Sequence, residues 1–211
     1  MGFYFMLTNP WIYVIIKGKS EIYMNKRQWA IVDKVKEKRL KKVGAWIDSR
    51  NEWIFRQSPK TKGADMEEFV KLLLIDAGWK LQIRNKKESD YDYRIDNLTN
   101  GSKVELKGSC LSLKANTYTF FQIRQEQKYD YLSFLTVEPN DIQVFIISKE
   151  DFTKYIINHM DEVIIAGGKT KREKLQQLYG SKPEQWMIHN DLFHWKKTND
   201  GEWPEGTERL I

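Results

Sequence analysis

Cysteine is nearly absent from the 211-residue chain, and Cys110 stands alone. One thiol forms no internal disulfide. The three histidines, His159, His189 and His194, are scattered, so no Cys/His cluster has zinc spacing. This usage predicts a reducing, cytoplasmic setting. Long hydrophobic runs are also missing. Residues 1–16 are rich in apolar side chains, but Asn9-Pro10 interrupts them and no basic n-region precedes them. That pattern excludes a convincing signal peptide, and it is too short and too broken to span a membrane. A buried strand pair is the expectation there, or a segment outside the native start. Met24 opens an ordinary cytoplasmic N-terminus, so the native start is either Met1 or Met24. Acidic residues are in deficit, 29 against 35 basic, and the resulting net charge of +6 favours polyanionic partners without naming one.

What is present describes a folded globular chain. Hydrophobic residues make up 41% and charged residues 30%, enough for a core and too little charge for disorder. The length suits a single domain over 1–211, and no linker or repeat divides it. Helical periodicity covers 26–48, with Trp29, Ile31, Val32 and Val35 on one side and basic residues, among them Lys38 and Arg39, on the other. A basic loop over 58–63 contains Lys60 and Lys62. The clearest helix is 64–77, with Asp65 as N-cap, Glu68 as its capping-box partner, and Gly78 as the stop. Strands are expected at 79–83, 90–96, 103–108, 117–123, 131–137 and 143–148. Short helices are expected at 125–129, 151–158 and 169–179. The tail, 186–211, reads as aromatic and irregular.

Chemistry concentrates in Asp90-Tyr91-Asp92-Tyr93-Arg94-Ile95-Asp96 and Lys103-Val104-Glu105-Leu106-Lys107-Gly108. Side chains two apart in a strand share a face. Glu105 and Lys107 therefore point one way and Val104 and Leu106 the other. Asp90, Asp92 and Asp96 likewise share a face. A hairpin between the two runs gathers carboxylates and a lysine on one wall. Carboxylates from neighbouring strands suit a hard cation such as magnesium. Such a cation activates water against a phosphodiester, and a lysine can orient that water.

This constellation resembles the PD-(D/E)XK nuclease superfamily, above all type II restriction endonucleases and archaeal Holliday-junction resolvases. Asp92, Glu105 and Lys107 match its Asp and its Glu-x-Lys, with Tyr91 where the naming proline would stand. The 62–67 segment, followed by Leu72-Leu73-Leu74 and Gly78-Trp79, is similar to the family's first helix and puts Glu67 at a metal-site position. Residues 120–124 and 129–131 resemble the segments after the Glu-x-Lys, and Gln122 is the candidate supporting residue there. The resemblance covers about 62–151. It implies a restriction-endonuclease-like α/β core, a central mixed sheet flanked by helices. A basic helical region at 24–61 and an extension at 152–211 then flank the core.

The implied activity is a magnesium-dependent DNA endonuclease, with manganese able to substitute, of the site-specific type II restriction kind or a subunit of one. Asp92 and Glu105 would bind metal, joined by Glu67. Double-stranded DNA would be the partner, with Lys38, Arg39, Lys60 and Lys62 as candidate backbone contacts. Cutting both strands would need a homodimer or a second nuclease subunit. A Holliday-junction resolvase or repair nuclease is the alternative in the same class, and a non-cleaving DNA-binding module is the alternative outside it.

The choice of aspartate depends on the turn. A two-residue turn at Asn100-Gly101 puts Asp96 opposite Glu105 and displaces Asp92 by four residues, about 13 Å. A wider loop brings Asp92 nearer. Asp92 is preferred on the family pattern, with Asp96 as main rival and Asp90 second.

Other signals are weaker. Gly167-Gly168-Lys169-Thr170 lacks the earlier glycine of a P-loop, since Val163 stands there. Gln125 and Tyr129 have the spacing of a motif in related exonucleases, but read more simply as a helix-surface pair. Lys169, Lys171, Arg172 and Lys174 form a basic helix face. Trp29, Trp46 and Trp79 read as core, while Trp195 and Trp203 are the candidates for base stacking.

Overall fold

The computed structural model describes residues 26–83, 90–96, 102–180, 182 and 193–211. The 1–16 segment, Met24, the centre of the 97–102 turn and the start of the tail lie outside them. The chain divides into two units, Met1–Lys38 and Arg39–Ile211. Of the first, the described part is helical, the opening of α1 (Lys26–Val43). Within that part Trp29, expected in the core, is 51% exposed.

In the second unit a short 3-10 turn, Gly44–Trp46, ends the helical run before Asp48 and buries Trp46 against Phe55. Helix α2 (Glu52–Phe55) follows. Helix α3 runs Pro59–Asp76, five residues longer at its start than the periodicity predicts. Ser58 caps it by accepting from the Thr61 N–H at 3.3 Å, and Pro59 fills the first helical position, where a missing N–H costs nothing. The expected basic loop and Asp65 cap are thus a Ser-Pro helix start.

The main sheet has the order β1-β2-β3-β5-β6-β9, built from β1 (Leu81–Ile83), β2 (Tyr93–Ile95), β3 (Ser102–Cys110), β5 (Tyr131–Val137), β6 (Ile142–Ser148) and β9 (Glu208–Arg209). It is mixed: β3 and β5 are parallel, and the other pairs antiparallel. A parallel neighbour requires a crossover. Here the crossover carries β4 (Thr117–Ile123), which joins β7 (Val163–Ile165) and β8 (Phe193–Thr198) in a second sheet of order β4-β8-β7. Residues 125–129, expected as helix, are turns within this crossover. Helix α4 (Lys149–Asn158) is capped by Ser148, and α5 is Gly168–Tyr179.

Strand parity assigns the layers. Gly108 lies against Met66 of α3, so α3 covers the face of β3 that carries Val104 and Leu106. Phe134, opposite Lys107, meets Phe120 of β4 at 4.7 Å and Phe152 of α4 at 5.2 Å. The second sheet and α4 therefore cover the other face. Trp195 is fully buried there, its Nε1–H donating to Glu162 at 2.7 Å, and Trp203 stacks on Phe145 at 3.9 Å. Trp195 is a core residue and Trp203 packs against the core, and the described part of the tail forms β8 and β9. Burying one such ring removes roughly 200 Å² from water, gross stabilisation of about 5 kcal/mol. That is enough to draw a polar-flanked segment back onto the sheet.

Candidate active site

Strand β3 presents Glu105 and Lys107 on one face, and the two pair: Lys107 Nζ lies 2.6 Å from Glu105 Oε1. Both side chains are largely withdrawn from solvent. Glu105 is 7% exposed, and the Lys107 side chain is 15% exposed. The second sheet and α4 pack on this face, so the expected open hairpin wall is largely buried.

The β2–β3 register settles where the aspartates stand. Tyr93 is opposite Val104, Arg94 opposite Lys103 and Ile95 opposite Ser102. Continuing that ladder by one step sets Asp92 opposite Glu105. A two-residue Asn100-Gly101 turn is incompatible with this pairing. Asp92 precedes β2. Its N–H donates to the Val104 carbonyl at 2.9 Å, and its Oδ2 accepts the Leu106 N–H at 2.8 Å. The side chain thereby takes over a hydrogen bond that the strand ladder would otherwise make. Asp96 is exposed at the far end of β2, its N–H donating to the Lys80 carbonyl at 3.0 Å. That is four residues, about 13 Å, along the strand from Asp92. Asp90 is half-buried two residues before Asp92.

Glu67 arrives from α3, paired with Lys71 one turn on at 2.5 Å. Its field reaches the same corner. Tyr93 is fully buried, and its phenol is pushed far above the ordinary range, first by burial and further by the negative charges of Asp92 and Glu67. On the other side Tyr129 is 3% exposed, and among the described residues its hydroxyl has no hydrogen-bond partner. Burial pushes that phenol up, and the charges of Glu105 and Glu126 add to the shift. The reading of Gln125 and Tyr129 as a helix-surface pair is overturned. No helix forms, and Gln125 accepts from Thr153 Oγ1 at 3.2 Å while its buried Nε2 has no partner among the described residues. The spacing alone flagged both residues, but nothing local showed that they turn inward.

Residue Gln122, expected to support the site, is exposed at a β-bulge of the second sheet. Lys38, Arg39 and Lys60 are exposed, whereas the Lys62 ammonium donates to the Phe55 carbonyl at 3.0 Å and lies over the Phe55 ring. Among the described residues no three Asp, Glu, His or Cys side chains form a group able to hold a metal ion. Two carboxylates remain, Asp92 and Glu105. This hard-oxygen set fits magnesium, which commonly takes one or two carboxylates and completes its shell with water and phosphate.

No protein-family model and no curated protein sequence matches the chain. Among the described residues no helix is long and apolar enough to cross a membrane. Among solved structures the chain is similar to a bacterial homing endonuclease, I-Ssp6803I, at 20% identity and a TM-score of 0.36, over 46% of this chain and 70% of that one.

Proposed function

We propose that this chain is a magnesium-dependent DNA endonuclease with a restriction-endonuclease-like core of the PD-(D/E)XK kind, site-specific, acting as a type II restriction enzyme or a subunit of one. One observation carries the reading: the Asp92 carboxylate is anchored on the N–H between Glu105 and Lys107. An aspartate leading into β2 and a glutamate and a lysine of β3 are thus held at one level of the sheet. A solvated hairpin has no need for that arrangement, and burying a charged pair costs several kcal/mol of desolvation per ion.

Asp92 and Glu105 would hold the cation. Magnesium, when bound, supplies charge stabilisation at the scissile phosphate and a more acidic water. Lys107 orients the attacking water from the β3 face and offsets charge that builds up on the phosphoryl oxygens. Water adds to phosphorus in line as the P–O3′ bond breaks, leaving a 5′-phosphate and a 3′-hydroxyl. Glu67, carried by α3 on the other face of β3, would act on this site only through its charge. One such site cuts one strand, so a double-strand break uses a homodimer or a second nuclease subunit.

Plasmid digestion with magnesium tests the reading. Discrete fragments are the expected result, lost in Glu105→Gln. Cutting confined to branched DNA indicates a resolvase instead. No cutting of any DNA, with intact folding, leaves a non-cleaving binding module.

A further inference from the structure

The second sheet carries a device that the site above does not use. Phe120 pairs with Trp195 and Ile123 with Phe193, so Phe121 and Gln122 together face His194 alone. This is a β-bulge, which re-aims side chains and bends the strand. Because of it, two adjacent side chains leave the core. Phe121 is 58% exposed, and Gln122 is exposed beside it.

The backbone is strained to achieve this. Gln122 has φ of 57°, left-handed space that L-residues rarely adopt. Among the described residues the other non-glycine residues there are Asp48 and Asn116, types that tolerate it. Glycine would suit position 122 better, yet a long amide is held there. The Gln122 N–H donates to His194 Nδ1 at 2.9 Å, which fixes that nitrogen as an acceptor and leaves Nε2–H as the ring's donor. The Phe121 ring sits edge-on to His194 at 4.9 Å.

The rest of this outward face suits a polyanion. Cross-strand pairing puts Thr119 with Lys196 and His194 with Ile164. Lys196 is exposed, Arg124 is exposed just beyond the strand, and no described strand residue on this face is acidic. Within this three-stranded sheet β4 and β8 form an antiparallel pair, and a two-stranded antiparallel ribbon is a shape that the DNA major groove admits.

We propose that the Phe121–Gln122 bulge is a base-reading element that recognises an A·T pair in the major groove of double-stranded DNA, an assignment that rests on the nuclease reading. The Gln122 amide matches the adenine N6/N7 edge, and Phe121 supplies apolar contact for the thymine methyl. Lys196 and Arg124 supply phosphate contacts that carry no sequence information.

The test is sequencing of DNA ends produced from genomic DNA by the wild type, Phe121→Ala, Gln122→Ala and Gln122→Gly. The wild-type site should contain an A·T pair at a defined position. Gln122→Ala and Phe121→Ala should lose discrimination at that position by about tenfold to a hundredfold while other positions keep theirs. Gln122→Gly should lose it equally, with a melting temperature equal to or above the wild type because the strain is relieved. That combination separates reading from folding. Unchanged preference in all three variants, or wild-type cutting without sequence preference, overturns this inference and leaves the nuclease reading standing. A wild type that cuts no DNA overturns the nuclease reading and this inference with it.

Discussion

The carboxylate of Asp92 accepts the backbone N–H of Leu106 at 2.8 Å, and Leu106 is the residue between Glu105 and Lys107. One hydrogen bond thus ties the position of the aspartate to the strand that carries the other two charges. A shift of either strand would break it. Asparagine at position 92 keeps an acceptor oxygen for that N–H and removes only the negative charge. Asp92→Asn should therefore fold as the wild type and lose cleavage by about a thousandfold. Asp96→Asn, at the far end of β2, should cut at the wild-type rate. Nicking of supercoiled plasmid by the two variants side by side decides between them, and the reverse ranking would put the metal at the wrong end of the strand for Glu105.

The Glu105–Lys107 pair carries a second consequence. Both side chains are largely buried and lie 2.6 Å apart. Removing one partner of a buried pair strands the other charge, a loss of about 3 kcal/mol or more. Lys107→Ala should therefore be inactive and also melt roughly 10 °C lower. The double variant Glu105→Gln, Lys107→Met removes both charges and should recover most of that stability while remaining inactive. Circular dichroism melts of the single and double variants give the comparison. A single variant as stable as the wild type would mean that the pair is far more hydrated than its burial indicates.

Much of this arrangement was legible in the sequence because it is local. Alternation placed Glu105 and Lys107 on one face, and periodicity found α3 through Met66, Val70 and Leu74, all now buried. The start of α3 was also written locally, in Ser58-Pro59, but lysines at 60 and 62 gave it the look of a loop. Register was less accessible. Asn100-Gly101 is a strong two-residue turn signal, yet the Tyr93–Val104 pairing overrides it, because Tyr93 and Val104 both need the same buried face. The bulge at Gln122 has no sequence signature at all, since neither Phe-Gln nor the positions around it favour left-handed backbone. Trp195 and Trp203 illustrate the last limit. Their partners, Phe134 and Phe145, lie far back in the chain, and no local window contains both sides of that contact.

Metal binding should be visible without catalysis. Saturating a site that exists only in the folded state at a hundred times its dissociation constant adds about 2.7 kcal/mol. For a chain of this size that corresponds to a rise of roughly 5–10 °C in melting temperature. Magnesium without DNA should give an upward shift in the wild type that is absent in Asp92→Asn and Glu105→Gln. A shift of equal size in all three proteins would locate the cation elsewhere.

Gly108 links the strand to the helix that carries Glu67. A Cβ there would collide with the Met66 sulfur, and Met66 is only 2% exposed, so it has little room to swing aside. Gly108→Ala must then push α3 away from β3 or force Met66 out of its rotamer, at a cost of about 1–3 kcal/mol. Glu67 is the next residue on α3, so the same displacement moves its carboxylate relative to Asp92. The variant should lose stability in urea and lose cleavage together. Met66→Ala leaves a cavity at this spot and is destabilising alone, by about 2 kcal/mol or more. The two substitutions fill each other's defect, so the double variant should be more stable than the sum of the singles predicts. Additive losses would show that α3 and β3 do not bear on each other at Gly108.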